Sequence, residues 1–122
     1  MTEHTSLDAS KRLAEAGLEE ETDKKWIVSI CNKSNRTLVS VDQFVDSLST
    51  WITACRAYRS DTLLAWLVSQ EYQIAVGHSH DGKRYTAFYT NEKGEHNTRR
   101  ELADTIPDAL AEVVLKVLEV SK

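Results

Sequence analysis

The stretch Ala103-Asp-Thr-Ile-Pro-Asp-Ala-Leu-Ala-Glu-Val-Val-Leu-Lys-Val-Leu-Glu-Val120 decides how this chain folds. Thr105 stands where a helix is capped, Pro107 falls in the first turn, where its missing amide proton is harmless, and Asp108 is the third helical residue. Ile106, Leu110, Val113, Val114, Val117 and Leu118 then recur at helical spacing on one side, while Asp108, Glu112, Lys116 and Glu119 line the other. An apolar flank with one wetted stripe makes this a core-forming helix on which the other layers close.

Working back from it, Arg99 to Ala103 reads as a short strand, preceded by the polar turn Asn91-Glu-Lys-Gly-Glu-His96. Lys83 to Asn91 and the alternating Tyr72, Ile74 and Val76 read as a hairpin, joined across Asp81-Gly82, whose residues tolerate positive φ. Before these, Ser60 or Asp61 caps a compact helix carrying Leu63, Leu64, Trp66 and Leu67. Residues 59–120 thus follow the order α-β-β-β-α.

The preceding lobe, residues 5–58, opens with Thr5 and Asp8 as a capping box, a helix through Lys11, Leu13 and Ala16, and Gly17 in the left-handed closing position with Leu18 against Leu13. Glu19 to Lys25 is a charged connector, and Trp26 to Cys31 forms a hairpin with Thr37 to Val39 across Asn32-Lys-Ser-Asn35. Ser40 and Gln43 then cap a helix carrying Val41, Phe44, Val45, Leu48, Trp51, Ile52 and Cys55 as far as Tyr58, although the β-branched stretch Thr50 to Ala57 also suits an extended strand. The architecture expected is a single α+β domain over residues 1–122. It is an α/β sandwich with helices packed on one face of a mostly antiparallel sheet and the other face partly exposed or used in association.

A chain of 122 residues, 41% hydrophobic and 28% charged, can bury a real core without staples. Its net charge of −4 repels nucleic acid and anionic membrane as a whole-molecule field. The longest apolar run is the hexamer Leu63 to Val68, and the opening Met-Thr-Glu-His lacks the layout of a signal peptide, so the expectation is a cytoplasmic protein without membrane partners. In that reducing compartment Cys31 and Cys55, in unlike contexts, read as buried thiols.

The order helix, three strands, helix is also that of double-stranded-RNA-binding domains, which take phosphate on lysines at the start of the last helix. Here that position holds Asp104 and Asp108, and from Asp61 onward 4 Lys and 3 Arg stand against 4 Asp and 6 Glu. Lys83, Arg84, Tyr85, Phe88, Tyr89, Arg99 and Arg100 interleave cations with aromatics, yet alternation sends Tyr85, Ala87 and Tyr89 to one face and Arg84, Thr86 and Phe88 to the other, one of them core. Tyr85, Tyr89, Arg99 and Arg100 are the candidate binding residues, around a pocket within one chain or between two copies. His78 and His80 share a strand face next to Asp81, with His96 across a turn, but a single His-x-His without a fixed fourth ligand is a weak metal signature, and no metal or cofactor is expected. No nucleophile elbow or phosphate-binding glycine loop is present, and neither cysteine has a sequence-adjacent histidine, so no enzyme is expected.

The segments Leu7 to Leu18, Thr22 to Trp26, Tyr58-Arg-Ser-Asp-Thr-Leu-Leu-Ala-Trp-Leu67, Tyr85-Thr-Ala-Phe-Tyr89 and Ala103 to Ala111 resemble, in order, a group of small uncharacterised phage and prophage proteins. The last part is similar to the phage ABA sandwich domain. The chain departs from the group at Glu19-Glu20, where Pro-Gln is usual, and in the insert around Ser47 to Thr53. The resemblance carries no functional residues. It implies a viral or mobile-element origin and a site of action in the cytoplasm of a bacterial host cell. A well-patterned core, an acidic surface and no assembled chemistry lead to the expectation of a small non-enzymatic accessory protein that binds and modulates a host protein, such as a counter-defence (anti-CRISPR-like) factor. Two alternatives stay open: a small-molecule or nucleotide binder, possibly a homodimer, and a nucleic-acid-binding domain.

Overall fold

The computed structural model describes residues 4–18, 20–29, 31, 35–42, 51–78, 84–91 and 99–120. In chain order the elements are α1 (Leu7–Glu15), β1 (Lys24–Ser29), β2 (Arg36–Ser40), β3 (Trp51–Ala57), α2 (Ser60–Ser69), β4 (Tyr72–His78), β5 (Tyr85–Asn91), β6 (Arg99–Ala103) and α3 (Ile106–Val120). The fold is α+β, and its second half follows the expected α-β-β-β-α order. The strands form two three-stranded antiparallel sheets, β2-β1-β3 and β4-β5-β6, where one sheet was expected.

The division follows from the segment expected as a helix up to Tyr58. Trp51 to Ala57 is a strand, paired along β1, so the β-branched residues there decide its conformation and complete the first sheet. Gln43, Phe44, Val45 and Leu48 lie outside the described residues. The β1–β3 register slips between Trp26 and Ile27, which pair with Cys55 and Thr53 and leave Ala54 without a partner. This bulge lets the sequence neighbours Ala54 and Cys55 both pack in one small cluster with Leu7, Trp26 and Val28, which strict alternation forbids. Lys24 and Lys25, expected in the connector, belong to β1.

The larger cluster unites Leu13 and Leu18 with Tyr58, Leu63 and Leu67, with Ala87 and Tyr89, and with Leu110, Val113, Val114 and Val117. It draws on residues of both lobes, 5–58 and 59–120, so the two share one interior. Each large apolar side chain buried there contributes roughly 1.5–3 kcal/mol. α3 packs on β5, β6, α1 and α2, and α2 packs on β4.

Local signals set the helix ends. In α3, Thr105 Oγ1 accepts the Asp108 N–H at 3.3 Å, as the cap requires, but the Asp108 carboxylate turns outward to accept the Ser6 N–H at 2.7 Å. α1 closes on Gly17 at φ 95°, with Gly17 N–H donating to Ala14 O and Leu18 N–H to Leu13 O, the Schellman pattern expected. Its start differs, for Ser6 is the cap and accepts the Ala9 N–H, while α2 is capped by the Arg59 backbone and not by Ser60 or Asp61.

Thr5, fully buried, instead ties the start of the chain to the end of β3. Its N–H donates to Tyr58 O (2.8 Å), its hydroxyl accepts the Tyr58 N–H (3.0 Å) and meets Ser10 Oγ at 2.6 Å, and its carbonyl accepts Trp26 Nε1–H (3.0 Å). Tyr58 donates its own hydroxyl to Leu18 O at 3.1 Å.

Candidate functional site

The strand register decides the fate of the four candidate binding residues. Tyr89 is 6% exposed inside the main cluster, with its hydroxyl 3.5 Å from Glu101, and Tyr85 is packed against that cluster. Directly paired residues share a sheet face, and Arg100 pairs with Phe88, on the face opposite to Tyr85 and Tyr89. Arg99 pairs with Tyr89 through its backbone, and its side chain lies outside the described atoms. The structure therefore parts Arg100 from the tyrosines, because a one-residue step along a strand changes face.

His78 stacks on Tyr85, ring centroids 4.9 Å apart, at the end of β4. His80, Asp81, Gly82, Lys83 and His96 lie outside the described residues. Among the described residues no three His, Cys, Asp or Glu side chains gather where a metal could sit. Cys31 is exposed, against the buried thiol expected, whereas Cys55 is buried, and burial raises its pKa above the ordinary thiol value.

Among the described residues, polar groups line several surface grooves. The first, about 270 Å³, lies where α1 meets the start of α3. Its charges are spent on one another: Arg12 holds Glu112 through both guanidinium nitrogens, Asp108 holds the Ser6 N–H, and Arg84 stands 3.9 Å from Asp104. The hydrogen bond that Arg12 donates to Glu112 raises the Arg12 pKa above its ordinary value. The second groove, about 460 Å³, runs along α2 past Thr62, Ala65, Trp66 and Ser69 to Glu20. At the head of α2, His4 Nε2 meets Asp23 Oδ1 at 2.9 Å, and Arg59 reaches Asp23 at 3.9 Å and Asp61 at 3.3 Å. The His4 hydrogen bond, with the charges of His4 and Arg59, holds the Asp23 carboxyl below its ordinary range. No sequence spacing announces that cluster, since its members are joined only by the isolated His4–Arg59 bridge.

Beside these charges the described surface also exposes apolar side chains. From Leu63 to Val68 the second helix has no polar residue, yet only Leu63 and Leu67 are fully buried, leaving Leu64 39% and Val68 60% exposed. The outer face of β4-β5-β6 adds Phe88 and Leu102, beside exposed Ala75 and Arg100. The composition signal for α2 was present in the run Leu63-Leu-Ala-Trp-Leu-Val68, which is too uniformly apolar for a surface helix with one buried stripe. Among the described residues no helix is long and apolar enough to cross a membrane.

The class these observations define is an α+β protein whose accessible chemistry is an apolar helix flank edged by acids. Comparison of the chain with protein-family models, with curated proteins and with solved structures returned no match.

Proposed function

We propose that the protein is a non-enzymatic interaction module, a phage or prophage accessory protein that binds and modulates a protein of its bacterial host. One observation carries this reading: α2 presents Leu64 and Val68 to solvent on a helix that has no polar residue between Thr62 and Ser69. Apolar surface rimmed by charge is what a protein partner covers, and Asp61, Glu20 and Glu71 supply the rim. The resemblance of Leu7 to Leu18 and Ala103 to Ala111 to phage proteins supports the origin of the module.

The test compares tagged protein with its Leu64→Lys/Val68→Lys double variant as bait in lysate of a bacterial host. The same host protein is expected on the first and absent from the second, with melting unchanged because both positions are exposed. Equal retention by both baits, or none by either, would defeat the reading.

A further inference from the structure

Among the described residues the sheet β4-β5-β6 pairs neither of its outer strands on its far side; β6 carries Arg99, Arg100 and Glu101, whereas β4 is the less protected edge. β4 bonds to β5 along all 7 of its residues without a register slip, and among the described residues no strand pairs with its other side. Alternate residues of such a strand turn their N–H and C=O groups outward as an unpaired ladder. Proteins ordinarily protect these edges with an acidic or basic side chain, a proline or a bulge. β4 reads Tyr-Gln-Ile-Ala-Val-Gly-His and, apart from His78 at its last position, has no acidic or basic side chain, no proline and no bulge against β5. Val76 shares the helix-facing row with Ile74, yet it is 40% exposed.

The helix layer selects what can occupy this edge. α3 covers β5 and β6, and α2 covers β4. Packed helices stand about 8–10 Å apart, whereas strands step by about 4.8 Å. A second copy joining β4 to β4 about a two-fold axis would set two α2 helices over adjacent strands, about half the spacing they need. It would also set acid against acid, since Asp61 on α2 and Glu71 directly before β4 are both exposed, while Arg59 is already engaged by Asp61 and Asp23. An extended segment without a helix layer of its own meets neither obstacle. Basic residues at its ends would answer the acids.

We infer that the open edge of β4, roofed by α2, takes an extended apolar segment with basic flanks from a partner protein as a fourth strand of the sheet. Backbone hydrogen bonds then supply affinity, and alternate side chains supply selectivity. This inference rests on the reading of the protein as an interaction module and names the manner of binding.

The experiment selects random heptapeptides, the length of β4, on the full chain and measures their binding by fluorescence anisotropy. Selected peptides are expected to alternate apolar residues and end in Lys or Arg. N-methylation of alternate peptide amides should weaken binding about tenfold per position in one set and leave the other set almost unaffected, since only every second N–H reaches β4. Amide exchange should slow in β4 on binding, and Ala75→Lys, at an exposed position, should weaken binding with melting unchanged. Failure to select any peptide, uniform sensitivity to N-methylation, or protection confined to α2 or the outer sheet face would overturn the inference. So would a dimer in sedimentation with β4 protected, because a second copy would then hold the edge. If these tests fail while Leu64→Lys/Val68→Lys still abolishes host-protein retention, the strand slot falls and the interaction module stands.

Discussion

Replacing Thr5 by valine keeps the shape of the side chain and deletes one oxygen, which makes it the sharpest test of how the start of the chain is tied to Tyr58. In the folded protein that oxygen accepts the Tyr58 N–H at 3.0 Å and meets Ser10 Oγ at 2.6 Å, at a site with no solvent exposure. Thr5→Val strands a buried N–H, at roughly 1–3 kcal/mol, and removes a hydroxyl pair worth about 1 kcal/mol, so the expected loss is about 2–4 kcal/mol. Thr5→Ser keeps both bonds and gives up a methyl group, at about 1 kcal/mol. Urea unfolding with an unchanged slope should therefore rank wild type above Thr5→Ser and Thr5→Ser above Thr5→Val, with melting lowered by about 3–5 °C per kcal/mol for a chain of this size. If valine proves within about 1 kcal/mol of wild type, or serine the more damaging, the hydroxyl is not what ties residue 5 to residue 58.

Gly17→Ala should destabilise by about 1–2 kcal/mol in the same assay, because no side-chain clash awaits at φ 95° and only the left-handed backbone resists. Glu71→Gly should stabilise by about 0.5–1 kcal/mol, since Glu71 holds φ 68° as a residue that rarely adopts it. The Asp23 carboxyl is depressed in the folded state by His4, so its contribution is present above the ordinary value of 3.8 and lost as pH falls through the lower folded value. Acid unfolding followed by circular dichroism should accordingly show a shallower loss of stability below that pH for Asp23→Asn, the difference being small because Asp23 is half exposed. A thiol reagent should modify Cys31 at once and Cys55 only on unfolding, since Cys55 is buried and its thiol held protonated; equal rates would contradict that placement.

The features legible in the sequence were those carried by local pattern over many residues. The stripe Leu110, Val113, Val114 and Val117 specified α3, alternation specified β4 and β5, and Gly17 with Leu18 specified the close of α1. Where two periods compete, pattern alone cannot decide: Trp51 to Ala57 fits a helix or a strand until β1 offers a pairing edge. Caps one residue apart are equally ambiguous, and Thr5 is withdrawn from capping by Tyr58, a residue distant in sequence. Glu71 at φ 68° has no glycine or asparagine to announce it. The candidate binding residues were grouped by composition, which cannot show that the β5–β6 register puts Arg100 on the other side of the sheet from Tyr85 and Tyr89. The exposed apolar flank of α2 is the converse case: in the uniformly apolar run Leu63 to Val68, spacing alone does not tell the buried Leu63 and Leu67 from the exposed Leu64 and Val68.

The clasp of Ser6 on Asp108, with Leu13 inserted among residues of α3, makes the earliest helix depend on the latest one. During synthesis α1 can wind as soon as it emerges and Leu7 can pack on β1 and β3, but Leu13 lacks its α3 neighbours until α3 has been translated. A nascent chain arrested before residue 106 should therefore remain a substrate for chaperones and proteases, and release of the final helix should convert it in a single step to a resistant form.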